Sequence, residues 1–113
     1  MEISEKEIAQ GRIVTLIGHL DTITAVEIQK KIINLIRSGT KALFIDFNGV
    51  EYISSPGIRA LILISKSAKD CSAFVCIVNP SKHVEEILEM TGALAFIRIY
   101  KDLQTALQPE NGN

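Results

Sequence analysis

The sequence predicts an α/β fold: a mixed, mostly parallel sheet of about five strands packed against about four helices, in the order β-β-α-β-α-β-α-β-α. Apolar runs of strand length alternate along the chain with segments whose apolar side chains recur every three or four residues. Strands that alternate with helices imply right-handed crossovers and parallel neighbours. Because no linker divides the 113 residues, we expect one domain over residues 1–108 and a disordered tail over 109–113.

The first two strands are predicted to form the antiparallel part of the sheet. Residues 2–9 alternate loosely as a short edge strand, and Gln10-Gly11 is a hairpin turn into RIVTLIG, a β-rich run that ends at Gly18. Residues 19–22 are interpreted as a polar turn. A helix follows, capped by Thr22 or Thr24 and ended by Ser38-Gly39. Its apolar face comprises Ala25, Ile28, Ile32, Leu35 and Ile36.

The middle of the chain, KALFIDF, is a nearly continuous apolar run, typical of a parallel strand covered on both faces. A connecting segment then leads to a helix. Ser55 before Pro56 indicates an N-cap at Ser55 with proline at the first helical position. Leu63 falls on the polar side of this helix, either as an ordinary exposed leucine or as a contact for a partner helix. One face of this helix comprises Ile58, Leu61, Ile62, Ser65 and Ala68, and the polar side comprises Arg59, Lys66 and Asp70.

The last third of the chain repeats the alternation of strand and helix. SAFVCIV is a buried strand, and residues 79–81 form a turn and cap. A helix then runs to a stop at Thr91-Gly92, AFIRIY gives the last strand, and residues 101–107 form a short helix capped by Asp102. The longer helix runs through Val84, Ile87, Leu88 and Met90.

Composition excludes several classes of function. Twelve basic and thirteen acidic residues leave a net charge of −1, with no basic stripe for direct binding of nucleic acid. No signal peptide or apolar run of ~18 residues is present, so a cytoplasmic protein without membrane contact is expected. Cys71, Cys76 and the two histidines match no metal-ligand spacing, and no phosphate-binding glycine loop exists. We therefore expect no metal and no cofactor.

Polar residues at two predicted strand ends suggest a site. The carboxyl ends of parallel strands lie along one edge of a sheet, which brings Asp21 toward Ser55. Free amides at a helix start favour negative charge, so the Ser55 hydroxyl lies where a phosphate can be received. For each of these residues an alternative remains open. Asp21 is a turn or cap aspartate. Ser55 is a hydrolase nucleophile served by His19, although no GxSxG motif surrounds it.

Two segments together resemble the STAS domains of bacterial anti-sigma factor antagonists. GHLDTITAVEI is similar to that family's Gly-x-Leu-Asp segment, and DFNGVEYISSPGIRAL to its Asp-Leu-Ser-x-Val-x-x-Ile-Asp/Ser-Ser-x-Gly-Leu segment. The resemblance covers essentially the whole chain and implies the STAS fold. It also implies a partner-switching regulator that is phosphorylated on serine by a kinase-like anti-sigma factor and dephosphorylated by a metal-dependent serine phosphatase. The ATP and the metal belong to those partners.

The resemblance assigns roles to individual residues. Ser55 matches the phosphoacceptor, with Ser54 as the alternative, and Asp21 matches an acid that engages the kinase. The sequence departs from the family at Ser54, where many members have aspartate, and at Pro56, where they have serine, threonine or alanine. Pro56 removes one backbone donor for a phosphate. The expected partner surface comprises Asp21, Thr22, Ser54, Ser55, Pro56, Gly57, Arg59 and Leu63.

The resemblance implies that the unmodified protein binds the anti-sigma factor and thereby frees the sigma factor, whereas a phosphate on the bound surface weakens the complex. A monomer is expected. The alternative within the same fold is an unphosphorylated interaction scaffold, associated with a stressosome or a transporter.

Overall fold

The computed structural model describes residues 1–108 and has the predicted order of strands and helices; the tail expected at 109–113 lies outside the described residues. The elements are β1 (Glu2–Ile8), β2 (Gly11–Leu20), α1 (Thr22–Arg37), β3 (Ala42–Ile53), α2 (Ser55–Asp70), β4 (Phe74–Val78), α3 (Lys82–Met90), β5 (Arg98–Tyr100) and α4 (Leu103–Leu107). One short 3₁₀ helix, Ala93–Ala95, lies between α3 and β5.

The five strands lie in sequence order across one mixed sheet. The β1–β2 pair is antiparallel, and the pairs β2–β3, β3–β4 and β4–β5 are parallel. Because each right-handed crossover moves one strand further in the same direction, α1, α2 and α3 all cover the same face. The α/β class and the mixed, mostly parallel sheet predicted from the sequence are confirmed.

Two apolar clusters lie on the two faces of the sheet. The larger cluster packs α1, α2 and α3 against side chains of β2 and β3 such as Leu16, Ile45 and Phe47. The smaller cluster, on the other face, comprises Phe44, Cys76 and Val78 under α4. The first part of β3 is therefore covered on both faces, as its continuous apolar run predicts. Within residues 1–108, no helix has both the length and the apolar character that a membrane span requires.

The two cysteines lie in different environments. Cys76 is fully buried in β4, and desolvation by burial raises the pKa of its thiol to about 12. Cys71 is half-buried and follows α2 directly, at its C-cap position. Cys76 is thus a small core residue, whereas Cys71 is partly exposed.

Strands β2 and β3 are both longer than predicted. The β2 strand continues through His19 to Leu20, and β3 continues to Ile53 through a segment predicted to be a connection. The two strands stay paired to Leu20 opposite Ile53, with two shifts of register on the way. Gly49 permits this close pairing, since a Cβ atom there would lie 2.8 Å from Cγ1 of Ile17. Parallel pairing thus overrides the loop-like composition of this segment.

The ends of several helices agree with the predictions. The amide of Thr40 donates to the Leu35 carbonyl and that of Gly39 to the Ile36 carbonyl, a Schellman motif with Gly39 at positive φ. Ser81 and Asp102 cap α3 and α4. Each of these ends is coded by local residues, which is why the sequence is sufficient to predict it.

Some predictions for the later helices and the last strand are wrong. On α2, Ile64 is buried although the predicted face omitted it. Gly92, at φ 79°, turns the chain into the 3₁₀ helix, so β5 begins only at Arg98. A hydrogen bond from the Ser65 hydroxyl to the Phe96 carbonyl ties this connection to α2.

Candidate functional site

The structure brings the two motif segments together at one edge of the sheet. Leu20 and Ile53, the last residues of β2 and β3, are register partners. The Leu20 carbonyl accepts hydrogen bonds from both the backbone N–H and the hydroxyl of Ser54, each at 2.8 Å. The first turns of α1 and α2 therefore lie side by side. We call this region, residues 20–24 and 53–57, the helix-start edge.

Asp21 caps α1, so the prediction that Thr22 or Thr24 provides the cap is wrong. The Asp21 Oδ1 atom accepts from the backbone N–H groups of Ile23 and Thr24, each at 3.0 Å. The N–H of Asp21 donates in return to Thr24 Oγ1 at 2.8 Å, which completes a capping box. The interpretation of Asp21 as a cap aspartate is confirmed, while Thr22 is the exposed first residue of the helix.

The hydrogen bonds at the cap also keep Asp21 ionised. The backbone N–H of Thr24 is the largest influence that lowers the pKa of the Asp21 carboxyl, and the Thr24 hydroxyl is the next. The side chain is exposed at the protein surface. The helix-start edge therefore presents a fixed negative charge to any partner at neutral pH.

Ser54 rather than Ser55 is the N-cap of α2, so this prediction is wrong. Ser54 has extended backbone angles, and its Oγ atom accepts from the Gly57 N–H at 3.3 Å while its hydroxyl donates to Leu20. Pro56 consequently occupies the second helical position. Ser55 is the first residue of the helix and is exposed. The hydroxyl of Ser54 is engaged by the fold, whereas that of Ser55 faces solvent.

The first turn of α2 has few backbone donors left for a ligand. The N–H of Ser54 is bonded to Leu20, that of Gly57 to the Ser54 side chain, and that of Ile58 to the Ser54 carbonyl. Pro56 has no N–H. Within the described residues, the first-turn amide that remains is the N–H of Ser55 itself.

Gly57 is buried and allows α2 to start close to the end of β2. A Cβ atom at this position would lie 2.9 Å from Cγ1 of Ile53, 3.0 Å from the Leu20 carbonyl oxygen and 3.1 Å from the Leu20 Cβ. The same carbonyl accepts the two hydrogen bonds from Ser54. Gly57 therefore lies beneath the helix-start edge, and its role there is to allow this close packing.

The exposed side chains around this edge include apolar ones that sequence reasoning missed. Ile23 is 80% and Val26 52% exposed on α1, while Arg59 and Leu63 are exposed on successive turns of α2. Exposed apolar side chains beside a polar rim are typical of docking surfaces. The sequence contained a signal that Ile23 and Val26 are exposed, since neither belongs to the apolar face predicted for α1. Pro56, which follows the two serines, is half-buried.

The structure gives no support to a serine hydrolase site. The His19 ring nitrogen Nε2 lies 3.0 Å from Oε1 of Glu51, and its ring packs edge-on to Tyr52. Within residues 1–108, no hydrogen bond joins His19 to Ser55. No group of three or more His, Cys, Asp or Glu side chains in that part of the chain is placed to hold a metal ion.

Replacing each serine with alanine distinguishes the cap from its neighbour. Ser54→Ala removes the cap and the hydrogen bond to Leu20, so we expect the free energy of unfolding to fall by about 1 kcal/mol. Ser55→Ala removes an exposed hydroxyl outside the cap and is expected to change it by less than about 0.5 kcal/mol. Urea denaturation followed by circular dichroism measures both. Equal losses, or a larger loss at Ser55, would contradict this assignment.

The family of the chain follows from comparison with known proteins. The model of the STAS domain family matches residues 3–106. The chain belongs to the STAS domain family. By sequence this STAS domain is similar to BtrV of Bordetella bronchiseptica, named as an anti-sigma factor antagonist, with 22% identity over 106 residues that cover 94% of this chain and 91% of BtrV.

Solved structures share the fold of this STAS domain. A Thermotoga maritima protein described as an anti-sigma factor antagonist superposes with a TM-score of 0.81 at 23% identity, covering 93% of this chain and 91% of that one. Bacillus SpoIIAA in its phosphorylated form gives 0.69 at 15% identity, covering 93% and 96%. The murine anion transporter Slc26a9 gives 0.76 at 21% identity, covering 90% of this chain but 18% of the transporter. At these identities the comparison establishes the fold.

Proposed function

We propose that this STAS domain is an anti-sigma factor antagonist that works by partner switching. It binds an anti-sigma factor through the helix-start edge while Ser55 is unmodified, and it releases that partner when Ser55 is phosphorylated. The observation that carries the proposal is the exposed Ser55 hydroxyl on the first helical turn, beside the ionised Asp21 cap. The antagonist names of the sequence relatives support it.

The chemistry of the switch belongs mainly to the partners. An anti-sigma factor with kinase activity transfers the γ-phosphoryl group of ATP to Oγ of Ser55, a base of the kinase takes the hydroxyl proton, and ADP leaves. A serine phosphatase then uses water to hydrolyse the phosphate ester, which restores the hydroxyl and releases inorganic phosphate. This chain supplies the accessible acceptor and the docking surface around it. Both reactions take place in the cytoplasm, and the antagonist acts as a monomer.

The charge of the phosphate accounts for release. Phosphorylation adds about −1.5 to −2 charges to a surface that already carries the Asp21 carboxylate. A partner that covers Ser55 would have to desolvate this charge without a matching cation on its own side, which costs several kcal/mol. Because the first residue of a helix tolerates negative charge, the fold of the antagonist is retained. The switch therefore acts on the interface.

The contacts of the two serines support Ser55 over Ser54 as the acceptor. The Ser54 hydroxyl caps α2 and donates to the Leu20 carbonyl, so phosphorylation there would break both contacts. Phosphorylation of Ser55 breaks no hydrogen bond of the described chain. Pro56 at the second helical position leaves the Ser55 side chain at the surface.

Mapping the modified residue tests the proposal. The protein is incubated with its anti-sigma factor kinase and ATP, and the phosphorylated peptide is identified by mass spectrometry. We expect one phosphate on Ser55, none on the Ser55→Ala variant, and full modification of a Lys66→Ala control on the same helix. A phosphate on Ser54 would contradict the choice of Ser55, and one outside both serines would overturn the proposed switch.

A second candidate function is an interaction scaffold that is not phosphorylated. The likeness of the fold to part of the anion transporter Slc26a9 favours it, since a domain of similar fold is there part of a larger protein. Capture of a transporter on the immobilised protein, with no phosphate incorporated by any kinase that binds it, would support the scaffold over the switch.

A further inference from the structure

Arg59 stands one helical turn after Ser55 with its side chain exposed. Among residues 1–108, ion pairs join Glu5 to Arg12 and Lys31, and Glu51 lies 3.0 Å from the His19 ring. Arg59 takes part in no ion pair within residues 1–108. Its guanidinium group is thus available to a negative charge that this structure does not contain.

The first turn of α2 favours an added negative charge but offers a phosphate few hydrogen-bond donors. It contains no acidic residue, so the positive end of the helix dipole has no carboxylate partner there. Its backbone donors are nevertheless largely engaged, because Gly57 donates to the Ser54 side chain and Pro56 has no N–H. Within the described residues the N–H of Ser55 is the first-turn amide that remains, so the other oxygens of a phosphate on Ser55 require donors from side chains or water.

We propose that Arg59 is the intramolecular partner of phosphorylated Ser55, an inference that rests on the proposed function. Residues four apart on a helix have Cβ atoms about 5–6 Å from each other, and an acidic group before a basic one is the favourable order. The planar guanidinium group of arginine binds two phosphate oxygens at once. The Asp21 carboxylate, on the neighbouring helix start, repels the phosphate and has no role in holding it.

This contact gives phosphorylation two effects on the docking surface. It adds the charge of the phosphate, and it withdraws a cation that the unmodified protein offers to a carboxylate of its partner. The phosphorylated antagonist neutralises part of its own new charge, so it is stable alone while its surface no longer fits the anti-sigma factor. Arg59 thereby acts as a positioning residue for the switch.

The test uses phosphoserine inserted at position 55 during translation of the full chain, so that no kinase is needed. Titration of the phosphate followed by ³¹P NMR gives its second pKa, at about 0.1 M salt so that charges more than about 10 Å away are screened. We expect this pKa to be about 0.2–0.4 units lower with Arg59 present than in Arg59→Gln, because an ion pair at this spacing stabilises the dianion. Arg59→Lys should restore part of the shift.

Lys66→Gln is the matched control, since it removes one positive charge from the same exposed side of α2 about 10 Å further along the helix. We expect it to leave the phosphate pKa within about 0.1 units of the parent protein, because salt screens charges over such distances. An equal pKa in the parent and Arg59→Gln, or an equal shift in both glutamine variants, would overturn the inference. Failure of the kinase to modify Ser55 would instead overturn the proposed function and leave the NMR result unchanged.

Discussion

Ser55→Asp is expected to weaken binding of the anti-sigma factor at least about tenfold, which corresponds to about 1.4 kcal/mol. Ser55 is exposed on the first turn of α2, so a carboxylate there reaches the surface that the partner covers. It adds to the negative charge of Asp21, and like charges brought together in an interface cost more than this threshold. The dissociation constant is measured by isothermal titration calorimetry with the purified anti-sigma factor.

Ser55→Asn separates the effect of charge from that of size. Asparagine has nearly the same shape as aspartate but is neutral, so we expect a change in the dissociation constant of less than about threefold. Raising the salt concentration should bring the dissociation constants of Ser55→Asp and Ser55→Asn closer together, because salt screens the repulsion between negative charges. If both variants bind equally weakly, steric exclusion and not charge is the basis of release.

Gly57→Val is expected to lower the free energy of unfolding by about 2–3 kcal/mol. The Cβ atom alone would lie within about 3 Å of Ile53 and Leu20, and two of these contacts are with the Leu20 carbonyl oxygen and Cβ, which cannot rotate away. Overpacking of this kind usually costs about 1–3 kcal/mol, and the γ-methyl groups of valine add to it. The midpoint of urea denaturation measures the loss.

Lys66→Val is the control for Gly57→Val. It places the same residue on the exposed side of α2, where packing does not change, so a loss of at most about 0.5 kcal/mol is expected from helix propensity. Gly57→Val should also reduce binding of the anti-sigma factor, since α2 has to move away from the end of β2. If Gly57→Val has the same free energy of unfolding as the wild type, the close approach of α2 to Leu20 is not required for stability.

The predictions that succeeded rest on strong local patterns. The order of strands and helices follows from the apolar periodicity, and the meeting of the two motif segments follows from the parallel connection between β2 and β3. The caps at Ser81 and Asp102 were also predictable, because each lies directly before a periodic segment.

The predictions that failed depend on contacts between distant segments. Ser54 and Ser55 are both good caps, and the choice between them is made by the carbonyl of Leu20, which lies more than thirty residues earlier. Residues 48–53 begin with an Asn-Gly pair and were predicted to be a connection, yet pairing with β2 keeps them extended. Neither contact has a signature within one sequence window. The N-cap of α2 and the extended end of β3 are therefore determined by tertiary contacts.

The unequal burial of the two cysteines makes the native chain convenient for fluorescence. Cys76 is fully buried and its thiol pKa is about 12, so maleimide reagents at neutral pH will find little thiolate there. Cys71 is partly accessible at the opposite end of α2 from Ser55, about 24 Å along the helix axis. A dye attached at Cys71 can report complex formation by anisotropy without touching the proposed docking surface and without any engineered residue.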